Sequence, residues 1–255
     1  MDVTPVIDSH AIAVLYVAPG QADELQILGN RHGSPAYTRF LHGVGQLVEL
    51  KGQRDVYTGG LDTSNDEDGQ FAYAWRNEIA QVLYHTATLM PNRSYDPQFA
   101  HKKKHLGNDY VRIVWNDSGL PYGFDTLKTE FQFVNIIIEP HSMGAIAAYS
   151  NSLHEHEFFK VYCQRVESMP EFGPLGEFKV ISAESLSHYV REVSLLADFF
   201  APIWVHTQRD TKAVEYVSNW RSRLQRIKKV RAGLPPLEPT NEGVDERSRD
   251  FTRSM

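Results

Sequence analysis

Apolar residues recur along the chain with two different periods, and together they predict an α/β protein. Short runs of β-branched and aromatic residues, bounded by turn residues, predict buried strands. These runs are Ile12 to Val17, Val56 to Leu61, Phe71 to Trp75, Ile79 to Leu89, Tyr110 to Trp115, Phe131 to Pro140, Ala145 to Tyr149 and Phe158 to Arg165. The run with Ile136, Ile137 and Ile138 at its centre does not alternate, which is typical of a strand covered on both faces. The pattern therefore predicts a central mixed β-sheet flanked by helices.

Apolar residues at helical spacing predict four main helices. Gln21 to Leu28 has acidic residues in its first turn, and Ser34 followed by Pro35 predicts the start of a second helix. Ser182 is expected to cap a long third helix that Pro202 ends. The faces expected to be buried are Tyr37, Phe40, Leu41, Val44, Leu47 and Val48 in the second helix, Leu186, Tyr189, Val190, Val193, Leu196 and Phe200 in the third, and Val217, Trp220, Leu224 and Ile227 in a last helix that stops at Gly233.

Composition limits the classes of protein to consider. These elements predict one domain over residues 1–233, and residues 234–255, rich in proline and mixed charge, are expected to be a disordered tail. The formal net charge of −6 argues against a general nucleic-acid binder. One cysteine, Cys163, excludes an intramolecular disulfide and suits a reducing, cytoplasmic location. No apolar run approaches the length of a membrane-spanning helix.

The most informative stretch is His101 to Gly119, which reads HKKKHLGNDYVRIVWNDSG. A basic, helix-compatible run is followed by a Gly-Asn-Asp break, a strand and an Asn-Asp-Ser-Gly turn. Asn108 is therefore expected on a turn between a positive element and a rigid strand. Its carboxamide can orient a water molecule while donating to a phosphate oxygen, although it cannot serve as a general base. Hydrolysis of GTP requires mostly positioning and charge stabilisation, and Lys102 to Lys104 suit an acidic or phosphate-bearing partner.

Spacing alone leaves plainer interpretations open. Gly107 to Asp109 could be only a helix C-cap and turn, with the three lysines on a solvated face. The loop TSNDEDGQ begins like an EF-hand calcium loop, but its twelfth position would be Trp75 instead of glutamate. The last helix has six cationic residues between Trp220 and Arg231 and no acid, which fits a solvated face, an acidic partner or a calmodulin-like target helix.

Histidines raise the alternative of a metalloenzyme. His101, His105 and Asp109 are spaced so that they would share one face of a continuous helix, and the HEHE motif at residues 154–157 is a second candidate. Gly107 breaks the helix before Asp109, which argues against the first cluster. No phosphate-binding loop of the G-x-x-x-x-G-K-[ST] type is present, so the chain is not itself a P-loop GTPase.

The stretch from His101 to Gly119 resembles the signature segment of the Rap-type GTPase-activating (Rap/Ran-GAP) family, and within it the tuberin type. Further similar segments occur in the family's order. They are AIAVLYVAPGQ, GSPAYTRFLHGVGQLVELK, GGLD, HTATLMP, FQFVNIIIEP and WRSRLQRIKKVR, so that the resemblance covers about Ile7 to Arg231. It implies the fold of a Rap-GAP catalytic domain. It also implies an activator that acts in trans on a small GTPase and turns over no substrate of its own.

The resemblance assigns roles residue by residue. Asn108 matches the family's asparagine thumb, the carboxamide inserted into the nucleotide site of the partner GTPase. The residues matched to GTPase binding or to support of the thumb are Lys102, Lys103, Lys104, His105, Asp109 and Arg223, with Gly107 and Asn116 as structural neighbours. The expected partner is a Rheb-like GTPase in TOR signalling, which would itself carry GTP and Mg²⁺, and a hamartin-like subunit would bind other parts of a longer protein. A non-catalytic interaction module with the same fold is the alternative.

Overall fold

The computed structural model describes residues 7–141, 157–209 and 219–233. Within these ranges lie eight strands, five α-helices and two short 3-10 helices, the latter at Phe124–Leu127 and Gly173–Leu175. The strands are β1 (Asp8–Val17), β2 (Gln46–Glu49), β3 (Phe71–Arg76), β4 (Ala80–Thr86), β5 (Val111–Asn116), β6 (Val134–His141), β7 (Phe158–Arg165) and β8 (Lys179–Ser182). The helices are α1 (Glu24–Gly29), α2 (Pro35–Val44), α3 (Ala100–Leu106), α4 (Ala183–Arg209) and α5 (Asn219–Gly233).

All eight strands form one mixed sheet in the order β2-β3-β4-β1-β5-β6-β7-β8. The central strands β4, β1, β5 and β6 run parallel to one another, and antiparallel pairs extend the sheet at both sides. Parallel strands need helical crossovers that cover both faces, which explains their nearly continuous apolar sequences. The predicted α/β class and central mixed sheet are confirmed.

The two faces of the sheet have separate apolar cores. On one face α2 and α4 pack around Trp115, which contacts Phe40 and Phe159 with ring centroids 5.4 and 5.0 Å apart. On the other face α1 and α3 bury Leu28 and Leu106 against the odd-numbered residues of β1. Helix α3, which carries the basic run, is therefore one of the elements that cover the central sheet.

The predicted strand Val56 to Leu61 is wrong, because this segment belongs to a loop between β2 and β3. Side chains satisfy its backbone locally in place of a strand partner. The Oε1 atom of Gln53 accepts from the N–H of Val56 and of the two residues before it, and the carboxylate of Asp62 accepts from three later N–H groups. Gly59 and Gly60 both have positive φ, which an extended strand does not permit.

The second helix is shorter than predicted. Ser34 caps it as expected, since its hydroxyl accepts from the N–H of Tyr37. The helix ends at Val44, and Leu47 and Val48 belong to strand β2 instead. Gly45 explains the change, because a methyl group there would lie 2.8 Å from the backbone oxygen of Ala74 in β3. The chain leaves the helix where its backbone approaches the sheet too closely for a side chain.

Proline does not end the long helix. Helix α4 begins directly after Ser182 and continues past Pro202 to Arg209. Proline costs one backbone hydrogen bond, but the segment beyond it still packs, with the Trp204 ring 5.8 Å from Phe133. Leu196, expected on the buried face, is exposed, and Leu195 is buried in its place.

Helix α5 belongs to a second compact unit of the chain. It ends at Gly233 as predicted, but Leu224 and Ile227 are 43% and 51% exposed, so their predicted inward packing is wrong. The predicted strand Ala145 to Tyr149, Val217 and the tail at 234–255 lie outside the described residues. Among the helices described, none has the length and hydropathy needed to cross a bilayer.

Candidate functional site

Helix α3 is held at its first turn by Asp96. The carboxylate accepts hydrogen bonds from the backbone N–H groups of Ala100 and His101, each at 2.9 Å, and from Nδ1 of His101. These donors, chiefly the backbone N–H of His101, lower the pKa of Asp96 to about 2, so it stays ionised at neutral pH. The other ring nitrogen of His101 lies 2.6 Å from the carbonyl oxygen of Pro91. His101 is thus an anchor of the helix.

The metal hypothesis finds no support in the part of the chain that the structure describes. No group of three or more histidine, cysteine, aspartate or glutamate side chains there could hold an ion. His101 and His105 contact different carboxylates, Asp96 and Asp68. The acidic loop also uses Asp62 to bind its own backbone. The second candidate, at residues 154–157, lies almost wholly outside the described ranges.

Lys102 is fully buried, which corrects its predicted place on a partner-facing surface. Its ammonium donates to the carbonyl oxygens of Leu28 at 2.8 Å and Ala87 at 2.9 Å. Leu28 is in the last turn of α1, whose carbonyls lack helical partners and attract cations. Burial lowers the pKa of Lys102 to about 8. Lys102 therefore supports the site from below by joining α3 to α1 and to the end of β4.

The other two lysines reach the surface in different ways. Lys103 forms an ion pair with Glu24 in the first turn of α1, with 2.7 Å between Nζ and Oε2. Lys104 is exposed, and no ion pair to it is found among the described residues. Of the three predicted steering cations, Lys104 is thus the one best placed to meet a partner.

Asn108 projects from the loop at residues 107–110, here called the Asn108 loop, which joins α3 to β5. Its side chain is exposed, and its Nδ2 atom donates to the carbonyl oxygen of Lys104 at 2.8 Å. Its backbone N–H donates to the carbonyl oxygen of His105 at 3.0 Å. Within the described residues no hydrogen bond reaches its Oδ1 atom. The carboxamide therefore keeps an acceptor and a donor hydrogen for another molecule.

A buried cluster of histidines and carboxylates lies beneath the Asn108 loop. Asp109 Oδ2 is 2.8 Å from Nδ1 of His85 in β4, and Asp68 Oδ2 is 3.1 Å from Nε2 of His105. The two imidazole rings are 5.4 Å apart between centroids. Burial, more than any neighbouring charge, lowers the pKa of His105 below its usual value. His105 and Asp109 are thus buried under the Asn108 loop, and their role in supporting it stays a prediction.

The remaining predicted residues occupy three different places. Gly107 packs against Thr129, where a methyl group would lie 3.1 Å from the threonine Cγ2. Asn116 lies at the far end of β5 and holds the following turn, donating to Leu120 and Glu139 and accepting from Ser118. Arg223 is on α5, outside the unit that carries Asn108. The structure brings Gly107, Asn108, His105 and Asp109 together and leaves Asn116 apart from them, at the other end of β5.

Sequence reasoning missed His85, Asp68 and Glu24 as parts of the site. Each comes from a segment distant in sequence, so no local pattern relates them to Asn108. His85 is the first residue of HTATLMP, a segment singled out by its resemblance to the family. Asp68 lies in TSNDEDGQ, a loop singled out by its resemblance to a calcium loop. A buried histidine in a strand was the available signal, because buried imidazoles need a partner.

The arrangement is suited to act on a bound molecule outside this chain. A cleft of about 530 Å³ is lined by Asn116, Glu139, Lys160, Tyr162 and their neighbours, and Asn108 is not among them. Asn108 stands instead on an exposed turn above the buried residues His105 and Asp109. An amide in this position can complete a polar site that another protein provides.

Comparison with known proteins agrees with this geometry. The Rap/ran-GAP family profile matches residues 27–229. The Tuberous sclerosis 2 protein homolog of Schizosaccharomyces pombe is 36% identical over 97% of the chain, and Ral GTPase-activating protein subunit alpha-2 of Mus musculus is 36% identical over 70% of it. The chain spans 18% and 9% of the lengths of these two relatives. A solved structure, that of the TSC2 GAP domain, is 40% identical in sequence and superposes with a TM-score of 0.70. The match covers 78% of this chain and 99% of the chain in that structure.

These matches extend over most of the chain and include both its sequence and its fold. They confirm the resemblance found in the segment around Asn108 and in the strands that precede and follow it. The chain therefore belongs to the Rap/ran-GAP family of GTPase-activating domains, and its relatives include proteins of the tuberin type.

Proposed function

We propose that this chain accelerates GTP hydrolysis by a small GTPase bound to it, and that Asn108 is the residue it inserts into the partner's nucleotide site. The observation that carries the proposal is an exposed carboxamide on a loop that has buried residues beneath it. The family membership supports the reaction class.

The chemistry required of Asn108 is positional. Its Oδ1 atom accepts a hydrogen bond from the attacking water, and the Nδ2 hydrogen not used by Lys104 donates toward the γ-phosphate. No proton needs to pass to the amide, since in GTP hydrolysis positioning and charge stabilisation supply most of the rate. GTP and Mg²⁺ belong to the partner in this proposal, and this chain holds neither.

The proposed partner is a Rheb-like GTPase in the cytoplasm, within TOR signalling. The similarity to a tuberous sclerosis 2 protein homolog supports this choice over a Ral-type partner, because it extends over 97% of the chain instead of 70%. Lys104 supplies the exposed positive charge for an acidic partner surface. A hamartin-like subunit would associate through other parts of a longer protein.

Phosphate release from a panel of GTP-loaded small GTPases tests the proposal. We expect Asn108→Ala to reduce the stimulated rate by about 100- to 1000-fold, the usual cost of losing one preorganised polar group at such a site. Asn65→Ala is the matched control, because Asn65 is another exposed loop asparagine, and it should keep the wild-type rate. Full stimulation by Asn108→Ala would exclude the thumb role, and binding without stimulation by the wild type would identify a non-catalytic module.

A further inference from the structure

The contacts that Asn108 itself makes do not fix it relative to the rest of the molecule. Its side chain and its backbone N–H both bond to carbonyls of α3, at Lys104 and His105. These bonds shape the turn but move with the helix end. The position of the carboxamide relative to the sheet must therefore be set by neighbouring residues that reach into the core.

Asp109 is the neighbour that does so most directly. Its carboxylate points inward and binds His85 Nδ1 at 2.8 Å, and the two side chains are only 3% and 2% exposed. His85 lies near the end of β4 and is paired in register with Ala13 of β1. The residue directly after Asn108 is thus tied to a strand of the central sheet by a buried hydrogen bond.

We propose that His85 and Asp109 form a positioning pair for Asn108, which sets the maximal rate of stimulated hydrolysis and not the affinity for the GTPase. The inference rests on the proposed function. Both groups are buried, so neither can touch the partner. The pair acts by fixing the backbone that follows Asn108, and a misplacement of about 1 Å at such a group can cost on the order of 100-fold in rate.

The same fold contains a matched pair that separates positioning from stability. His10 Nδ1 lies 2.8 Å from Asp198 Oδ2, and both side chains are largely buried. This pair joins β1 to α4 on the opposite face of the sheet from α3. It has the same donor and acceptor groups and the same distance. Burial, and to a smaller extent the charge of Asp109, raises the pKa of Asp198, but among the described residues no hydrogen bond joins the His10–Asp198 pair to the Asn108 loop.

Three variants distinguish the two roles. His85→Leu removes the donor and leaves the Asp109 carboxylate without its partner, whereas His85→Asn places an amide N–H close to the position of Nδ1. His10→Leu makes the first change in the control pair. A buried unpaired carboxylate is costly, so His85→Leu combined with Asp109→Asn replaces the single variant if that variant does not fold.

The first measurement is stimulated hydrolysis as a function of domain concentration. For His85→Leu we expect the maximal rate to fall by about 10- to 100-fold, while the half-stimulating concentration changes by less than about threefold. His85→Asn should recover most of the rate, and His10→Leu should keep it once the folded fraction is corrected by urea unfolding. A wild-type maximal rate in folded His85→Leu, or an equal loss in His10→Leu, would overturn the positioning role.

The second measurement needs no GTPase. In the ¹⁵N-labelled domain, the backbone amides of residues 108 and 109 should lose order in His85→Leu and keep it in His85→Asn and His10→Leu. Unchanged order in His85→Leu refutes the inference. If the wild type stimulates no GTPase, the proposed function fails, while the relaxation data still decide whether the pair holds the loop.

Discussion

Two basic segments of similar composition have opposite environments in this protein. In α3 the charges of Lys102 and Lys103 are directed to internal partners, the carbonyls of Leu28 and Ala87 and the carboxylate of Glu24. In α5, by contrast, the residues from 224 to 233 are all exposed, including three large apolar side chains. A run of cationic residues therefore does not by itself predict an exposed surface. In α3, acceptors from other elements bind two of the three lysines and take them out of the partner-facing surface.

The strongest test of this comparison replaces one lysine in each helix by methionine. Lys102→Met keeps the stem but leaves two buried carbonyl oxygens without a donor. We expect the free energy of unfolding to fall by about 1–3 kcal/mol, because relief of the buried charge offsets part of the loss. Lys228→Met in α5 should change it by less than about 0.5 kcal/mol. Urea unfolding measures both, and equal effects would remove the distinction between the helices.

The pH dependence of stability in the same two variants sharpens the comparison between α3 and α5. The pKa of Lys102 is lowered to about 8 in the folded protein from 10.5, so between these values the unfolded chain binds more protons. Stability contributed by Lys102 therefore rises as the pH increases from about 8 toward 10.5. The difference in unfolding free energy between wild type and Lys102→Met should grow over this range, while that for Lys228→Met stays constant. A constant difference for Lys102 would contradict the lowering of its pKa by burial.

Charge reversal at the exposed lysine addresses the partner-facing role. Lys104→Glu should weaken association with the GTPase by about 5- to 10-fold at low ionic strength, with the loss shrinking as salt is added. Lys228→Glu in α5 is the comparison variant. If Lys228→Glu weakened association as much as Lys104→Glu, the GTPase would not distinguish between the two basic segments. A loss at Lys104 that does not depend on salt would argue against electrostatic steering.

The smallest effect is expected at the pair of Lys103 and Glu24. Both side chains are about one quarter exposed, so their coupling in a double-mutant cycle should be about 0.5 kcal/mol and should decline in high salt. Alanine substitutions at the two positions, measured singly and together by urea unfolding, give this coupling. A coupling above about 2 kcal/mol would show that Lys103, like Lys102, has a structural role.

Local sequence patterns predicted the strands better than the connections. The apolar runs of β1, β5 and β6 were recognisable as strands in the sequence, because a strand that is buried on both faces contains few polar residues. The loop before β3 was misread because Gln53 and Asp62 satisfy its backbone through side chains. The long helix passed Pro202 because packing further along it outweighs one missing hydrogen bond.

The sequence by itself determined the α/β class, the family and the placing of Asn108 on a turn between a basic helix and a buried strand. These follow from periodicity and from short motifs, which are properties of neighbouring residues. Only the tertiary structure decided that Lys102 is interior, that Lys104 is exposed, and that His85 lies beneath Asn108. Such facts depend on which distant carbonyls and carboxylates the sheet brings together, and a buried polar group takes its role from those partners.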